Sequence, residues 1–166
     1  MMQLRIVHTF LAGLLVGCAN PTDPGLSVRV TEFGIYARGT EVVHLDAAAP
    51  SGQSRGTSGF RLMASTESIP ASMGTSFGFC YEVAGIRRES TPDIVIQVEH
   101  PKIVRPDGTE RTHYEDRPYA PVSAPTFTDC KGYAFDHQFE LVPGIWRFTV
   151  LVNGSPKITQ EFHVDK

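Results

Sequence analysis

The side chains best able to do chemistry in this 166-residue chain are three cysteines and six histidines. Cys80 and Cys130 lie about 50 residues apart, with no C-x-x-C spacing and no His-x-x-x-His beside them, so the pattern gives no zinc ligand set. His44, His100, His113 and His163 fall on four separate segments, where spacing alone leaves a metal cluster among them open. His137 alternates with Phe135 and Phe139, the pattern of a core-edge histidine bonded to backbone, with a functional histidine as the alternative. Ser58 sits in "RGTSGF", but Phe60 stands where a nucleophile elbow needs glycine, so a flexible loop serine is expected. Asp107, Gly108 and Glu110 lack the ladder of oxygens that a calcium loop supplies. Glu115 and Asp116 are adjacent, and neighbours on a strand face opposite ways. Glu140 precedes "VPG" and is expected to bind backbone donors at that turn. No catalytic residue, metal site or cofactor is predicted from these residues.

Cys18 has different prospects. Arg5 and the terminal amine precede an apolar run from Phe10 to Val16, which is short of the roughly 20 residues needed to span a bilayer. The run has the length and flank charge of a signal peptide. Its end, Leu15-Val16-Gly17-Cys18, resembles the bacterial lipobox. That resemblance implies cleavage before Cys18, a diacylglycerol thioether on its sulfur and acylation of the new amine. The alternatives are an ordinary secretory signal, or a buried strand with a chance cysteine. Several acyl chains, at about 0.8 kcal/mol per buried CH₂, anchor durably where one does not. Ala19 rather than aspartate follows Cys18, which under the bacterial sorting rule implies the outer membrane, facing the periplasm or the cell surface. Residues 1–17 are thus read as a lipoprotein signal peptide, 18–25 as a lipidated tether and 26–166 as the folded domain.

In an oxidising envelope the two remaining cysteines are a disulfide candidate, Cys80 with Cys130. Closing that loop contributes roughly 4 kcal/mol on a chain-entropy account. The alternative is two unpaired thiols.

The formal net charge is −3, one unit more negative once Arg5 leaves with the leader, and no basic stripe occurs. Nucleic acid is therefore excluded as an expected partner. Contact with an anionic bilayer would rest on the lipid and not on the body of the domain.

The elements that must position these residues read almost entirely as strands. Leu26–Arg38 alternates and then shifts phase, which predicts a bulge near Glu32. Residues 41–46 give a short strand, and "AAAPSGQSRGTSG" (47–59) reads as a mobile loop. Phe60–Ala64 gives a weak strand. Phe77, Phe79, Tyr81 and Val83 share one face of a strong strand, which turns Cys80 outward. A bridge from Cys80 is then expected to pin the Cys130 loop over the outer face of the sheet. Ile94, Ile96 and Val98 continue as a strand whose ladder His100-Pro101 should disrupt. "RPDGTE" turns into a strand near Arg111–Asp116. Residues 117–132 read as a long connection, and alternation resumes from Tyr133 to Leu141. Trp146, Phe148, Val150 and Val152 form a core strand, Asn153-Gly154 a hairpin turn, and Ile158 to Val164 the last strand. No helical stripe appears. An antiparallel β-sandwich of about eight or nine strands follows.

"IPASMGTSFGFCYEV" and "GYAFDHQFELVPGIWRFTVLVNG…FHV" resemble the signatures of a bacterial family catalogued as domain of unknown function 3859. The resemblance spans most of residues 28–164 and implies an exported immunoglobulin-like sandwich. It implies no activity, ligand or catalytic residue.

Two function classes remain. One is a non-catalytic module that binds an envelope protein, with Tyr114, Tyr119 and Phe127 in the 112–132 segment as its contact candidates. Those aromatics serve equally well as cover for the end of the core. The other is a small-ligand or glycan binder, or a hydrolase, which needs a concave site with convergent polar groups.

Overall fold

The computed structural model describes residues 25–88, 90–118 and 124–166. The strands are β1 (Ser27–Ala37), β2 (Thr40–Leu45), β3 (Gln53–Ser58), β4 (Arg61–Ala64), β5 (Ser68–Pro70), β6 (Ser76–Ala84), β7 (Ile94–Val104), β8 (Glu110–Asp116), β9 (Thr126–Ala134), β10 (Gly144–Val152) and β11 (Ser155–Asp165), with one 3-10 turn at Gln138–Glu140. They form a four-stranded sheet in the order β4-β1-β6-β9, a five-stranded sheet in the order β5-β11-β10-β7-β8, and the separate pair β2-β3.

The alternation of β6 sets the core. Phe77, Phe79, Tyr81 and Val83 are all at most 1% exposed and meet Trp146, Phe148 and Val150 of β10 and Phe162 of β11. The Phe77 ring lies 5.3 Å from Phe162 and 5.5 Å from Trp146, both edge-on. Such geometry adds about 0.5–1.5 kcal/mol per pair beyond area burial. The bulge expected near Glu32 occurs where the β1–β6 register slips between Val30 and Glu32. The β7–β8 ladder breaks between Glu99 and Ile103, around the proline that offers no donor. Asn153 takes φ 52° in the β10–β11 hairpin turn.

Four expectations need correction. The described residues hold eleven strands instead of eight or nine, and the β5–β11 pair is parallel. The 47–59 segment contains β3, which pairs with β2 along its whole length. It has no apolar alternation and its Gly56 has weak strand preference, and the β2 ladder supplies what propensity does not. Residues 126–132 belong to β9, so Cys130 is not on a loop over the sheet but stands opposite Cys80 on the neighbouring strand. The Tyr133–Leu141 alternation ends at Ala134, after which the 3-10 turn takes over.

Candidate functional site

β9 carries the feature around which a site forms. Its register sets Asp129 opposite Tyr81, Lys131 opposite Phe79 and Tyr133 opposite Phe77. Cross-strand partners share a face, so these polar residues point inward from an edge strand. Across the gap, β8 sets Tyr114 opposite Val98 and Asp116 opposite Ile96, inward by the same logic. Lys131 Nζ lies 2.7 Å from Asp116 Oδ2 and 3.4 Å from Asp129 Oδ2, tying the open edges of the two sheets together. Burial opposes the Lys131 charge, but its bond to Asp116 and the field of Asp129 outweigh that and hold its pKa above the ordinary lysine value. Inward charges also blunt an edge strand against unwanted pairing, so the triad has a structural use whatever else it does.

A cavity of about 380 Å³ runs along this edge, and the segment joining β2 to β3 roofs it. That segment folds on itself: Asp46 N–H donates to Gly52 O at 2.9 Å, and Ala48 N–H to Asp46 Oδ1 at 2.9 Å. Arg105, at the β7–β8 turn, then clamps it. Its Nε donates to Pro50 O at 2.8 Å, and its Nη2 donates to Ala47 O at 3.1 Å and to Ala49 O. One guanidinium therefore binds three carbonyls of the roof, two of which have a second donor: Gly52 N–H on Ala49 O at 3.0 Å and Arg111 Nη2 on Ala47 O at 3.3 Å. Gln53, Ser54 and Gly56 of β3 complete that wall.

The far end of the cavity is held by Glu140, which is fully buried. It accepts from Tyr133 Oη at 2.9 Å, Asp136 N at 2.6 Å and His137 N at 2.8 Å. Burial, and then the Glu140 carboxylate, push the Tyr133 phenol up, so it remains a donor. The Tyr133 ring packs 4.5 Å from Trp146, and His100 stacks on the same indole at 4.8 Å. His100 Nδ1 donates to Pro101 O at 2.8 Å. Burial chiefly lowers the His100 pKa. On the outer face Tyr36 meets Phe60 at 5.5 Å.

Four carboxylates line the cavity (Asp46, Asp116, Asp129 and Asp136) against two cations, Arg38 and Lys131, while the Glu115 carboxylate turns to the other face of β8, where it accepts from Gln97 Nε2 at 2.9 Å. Arg38 pairs with Asp136 at 2.7 Å. No described histidine lines it, so its serines have no imidazole base beside them. Among the described residues, no three of His, Cys, Asp and Glu gather as a metal-binding group.

The residues singled out in the sequence are distributed as follows. Cys80 and Cys130 are joined, with their Cα atoms 3.9 Å apart. Phe127 is 9% exposed and packs on Tyr81, so it covers the core end. Tyr114 is half-buried and lines the cavity. Cys18 and Tyr119 lie outside the described residues. Glu140 does bind backbone donors at its turn. Lys131, Asp129 and Arg105 were missed; for the first two the signal was the alternation of Phe127, Asp129, Lys131 and Tyr133 through a stretch read as a connection.

The family model described as "Domain of unknown function (DUF3859)" matches residues 26–164. An immunoglobulin-like protein from Pseudomonas aeruginosa is similar in structure: 26% identity, TM-score 0.58, covering 84% of this chain and 97% of that one. The alkylpurine DNA glycosylase AlkC of Pseudomonas fluorescens matches at 11% identity and TM-score 0.47, over 86% of this chain and 31% of its own. A β-glucosidase from Listeria innocua matches at 11% identity and TM-score 0.40, over 85% of this chain and 16% of its own. No curated protein matches the chain. The chain belongs to the DUF3859 family, and its fold is an immunoglobulin-like β-sandwich.

Proposed function

We propose that this chain is a lipid-anchored interaction module of the bacterial cell envelope, non-catalytic, which receives a protein partner in the cavity along β9. The observation that carries the reading is the cavity itself: a concave site on a rigid sandwich, charged inside, with carboxylates and tyrosines and no described nucleophile–base pair. Such a site binds, and its charges set what it accepts. The lipobox-like "LVGC" supports the anchor at Cys18, and Ala19 the outer membrane.

The cavity volume and the Tyr114 and Tyr133 rings also suit a second reading, a small-ligand or glycan binder. Photocrosslinking from position 115, at the cavity rim, in intact envelopes separates the two. Protein adducts that vanish when Asp116 and Asp129 are both changed to Asn support the module. Adducts confined to glycan or small molecules would replace it with the second reading.

A further inference from the structure

We propose that β9 captures its partner by strand addition, and that the added strand is an extended peptide presenting a basic side chain to the Asp116–Asp129 face. This rests on the module reading and supplies the chemistry of the partner.

The backbone supports the first half. Opposed residues on antiparallel strands alternate between pairs about 5.5 Å apart, which exchange hydrogen bonds, and narrower pairs about 4.5 Å apart, which do not. Cys80 and Cys130 are 3.9 Å apart at Cα, the narrow kind. Their N–H and C=O groups therefore point away from each other, and Cys130 directs its own out of the sheet. By the two-residue period the same holds for Thr128, Gly132 and Ala134. One residue further on, Phe135 N–H donates to Thr75 O at 3.0 Å, which fits the alternation. The outer edge of β9 thus offers four donors and four acceptors, and among the described residues no strand but β6 pairs with it. β3 lines the same cavity without pairing to β9. The slot between them is bounded by strand edges, and Gly132 and Gly78 on its floor pack so closely that a Cβ on either would meet the backbone of the other's strand.

The charge supports the second half. Alternate side chains of an added strand would enter the inner face beside Asp129, Lys131 and Tyr133, across from Asp116. Four lining carboxylates against two cations leave a negative field that a basic side chain relieves and an acidic one aggravates. The inward charges that deter apolar strands also select this one.

The test uses the mature chain and a fluorescent heptapeptide, Thr-Val-Thr-Lys-Thr-Val-Thr, blocked at both ends. Binding should weaken about tenfold or more when the lysine becomes glutamate, when alternate edge amides are N-methylated, and when salt is raised from about 0.05 to 0.5 M. The Cys130 and Gly132 amides should exchange about tenfold more slowly with peptide bound. Asp116→Asn should weaken the lysine peptide; if that variant fails to fold, the peptide series on wild type decides alone. The proposal is overturned if the lysine peptide does not bind, if N-methylation leaves affinity unchanged, or if blocked lysine amide binds as tightly as the peptide. Protection of the β9 amides that rises with protein concentration and needs no peptide would instead make the occupant a second copy. Failure here with protein adducts retained in the envelope experiment removes strand addition and keeps the module.

Discussion

Glu140 shows how much one buried carboxylate can organise. It holds a phenol and two consecutive backbone donors within the turn that ends β9, all within 2.9 Å. Glu140→Ala would strand three partly buried donors, and each unpaired group costs about 1–3 kcal/mol less whatever water recovers. A loss of about 2–4 kcal/mol in urea unfolding is expected, and a loss below about 1 kcal/mol would show that the turn stands without it. His100 gives a pH prediction. Burial lowers its folded pKa below the ordinary histidine value of 6.5, so the unfolded state binds the proton first. Stability from this residue is therefore complete above about pH 6.5 and is lost as pH falls from there toward the folded pKa. Its neighbours in that field are His113, which lowers the pKa further, and Pro101 O, which opposes the shift. His100→Phe keeps a ring against Trp146 and removes the titration. Its melting temperature should fall less than that of wild type between pH 7 and pH 5, and parallel profiles would refute the assignment. Glu140 was legible because its donors are local in sequence. His100 was legible as a ladder breaker beside Pro101 and as one of four scattered histidines, but not as a core ring, because its stack on Trp146 joins residues on different strands.

The strands that could be read were those whose alternation coincides with burial, as in Phe77-Phe79-Tyr81-Val83 and Trp146-Phe148-Val150. The strands that were missed take their order from a partner. β3 is held by β2, and β9 places Asp129 and Lys131 inward at an open edge, where apolar alternation is absent for a physical reason. Two predictions belong here. The bridge on the outer face joins adjacent strands and closes a loop of 50 residues. Replacing Cys80 and Cys130 together by Ala should cost about 2–4 kcal/mol in guanidinium unfolding, with β6 and β9 still paired by their ladder. Equal stability of the oxidised and reduced wild type would remove that contribution. The Arg105 clamp acts on one segment only. Arg105→Ala should speed amide exchange at Gly52 by about tenfold while the sandwich core keeps its protection. If core amides accelerate equally, the roof is part of the cooperative unit and not an appendage to it.

At the scale of the molecule, the proposed anchor at Cys18 raises the question of where the cavity stands relative to it. β1 begins at Ser27, paired to Ala84, which in turn pairs with Thr126 at the start of β9. The cavity is lined by β9 from Asp129 to Ala134, toward the opposite end of the same sheet. At about 3.3 Å per residue, its centre lies roughly 15–20 Å further from the tether than the first strand does. A lipid on Cys18 would then hold the sandwich by one end and turn the cavity away from the bilayer, where a partner can enter. The described core cluster draws on residues from Leu26 to Val164, and anchoring and folding are expected to separate. Cys18→Ser is expected to move the protein from the membrane fraction while shifting unfolding free energy by less than about 0.5 kcal/mol. Its affinity for the lysine peptide should equal that of the lipidated form. Fractionation, calorimetry and the same anisotropy titration read the three quantities. Retention of the Cys18→Ser protein in washed membranes would sink the anchor, and a large loss of stability would make the tether part of the fold.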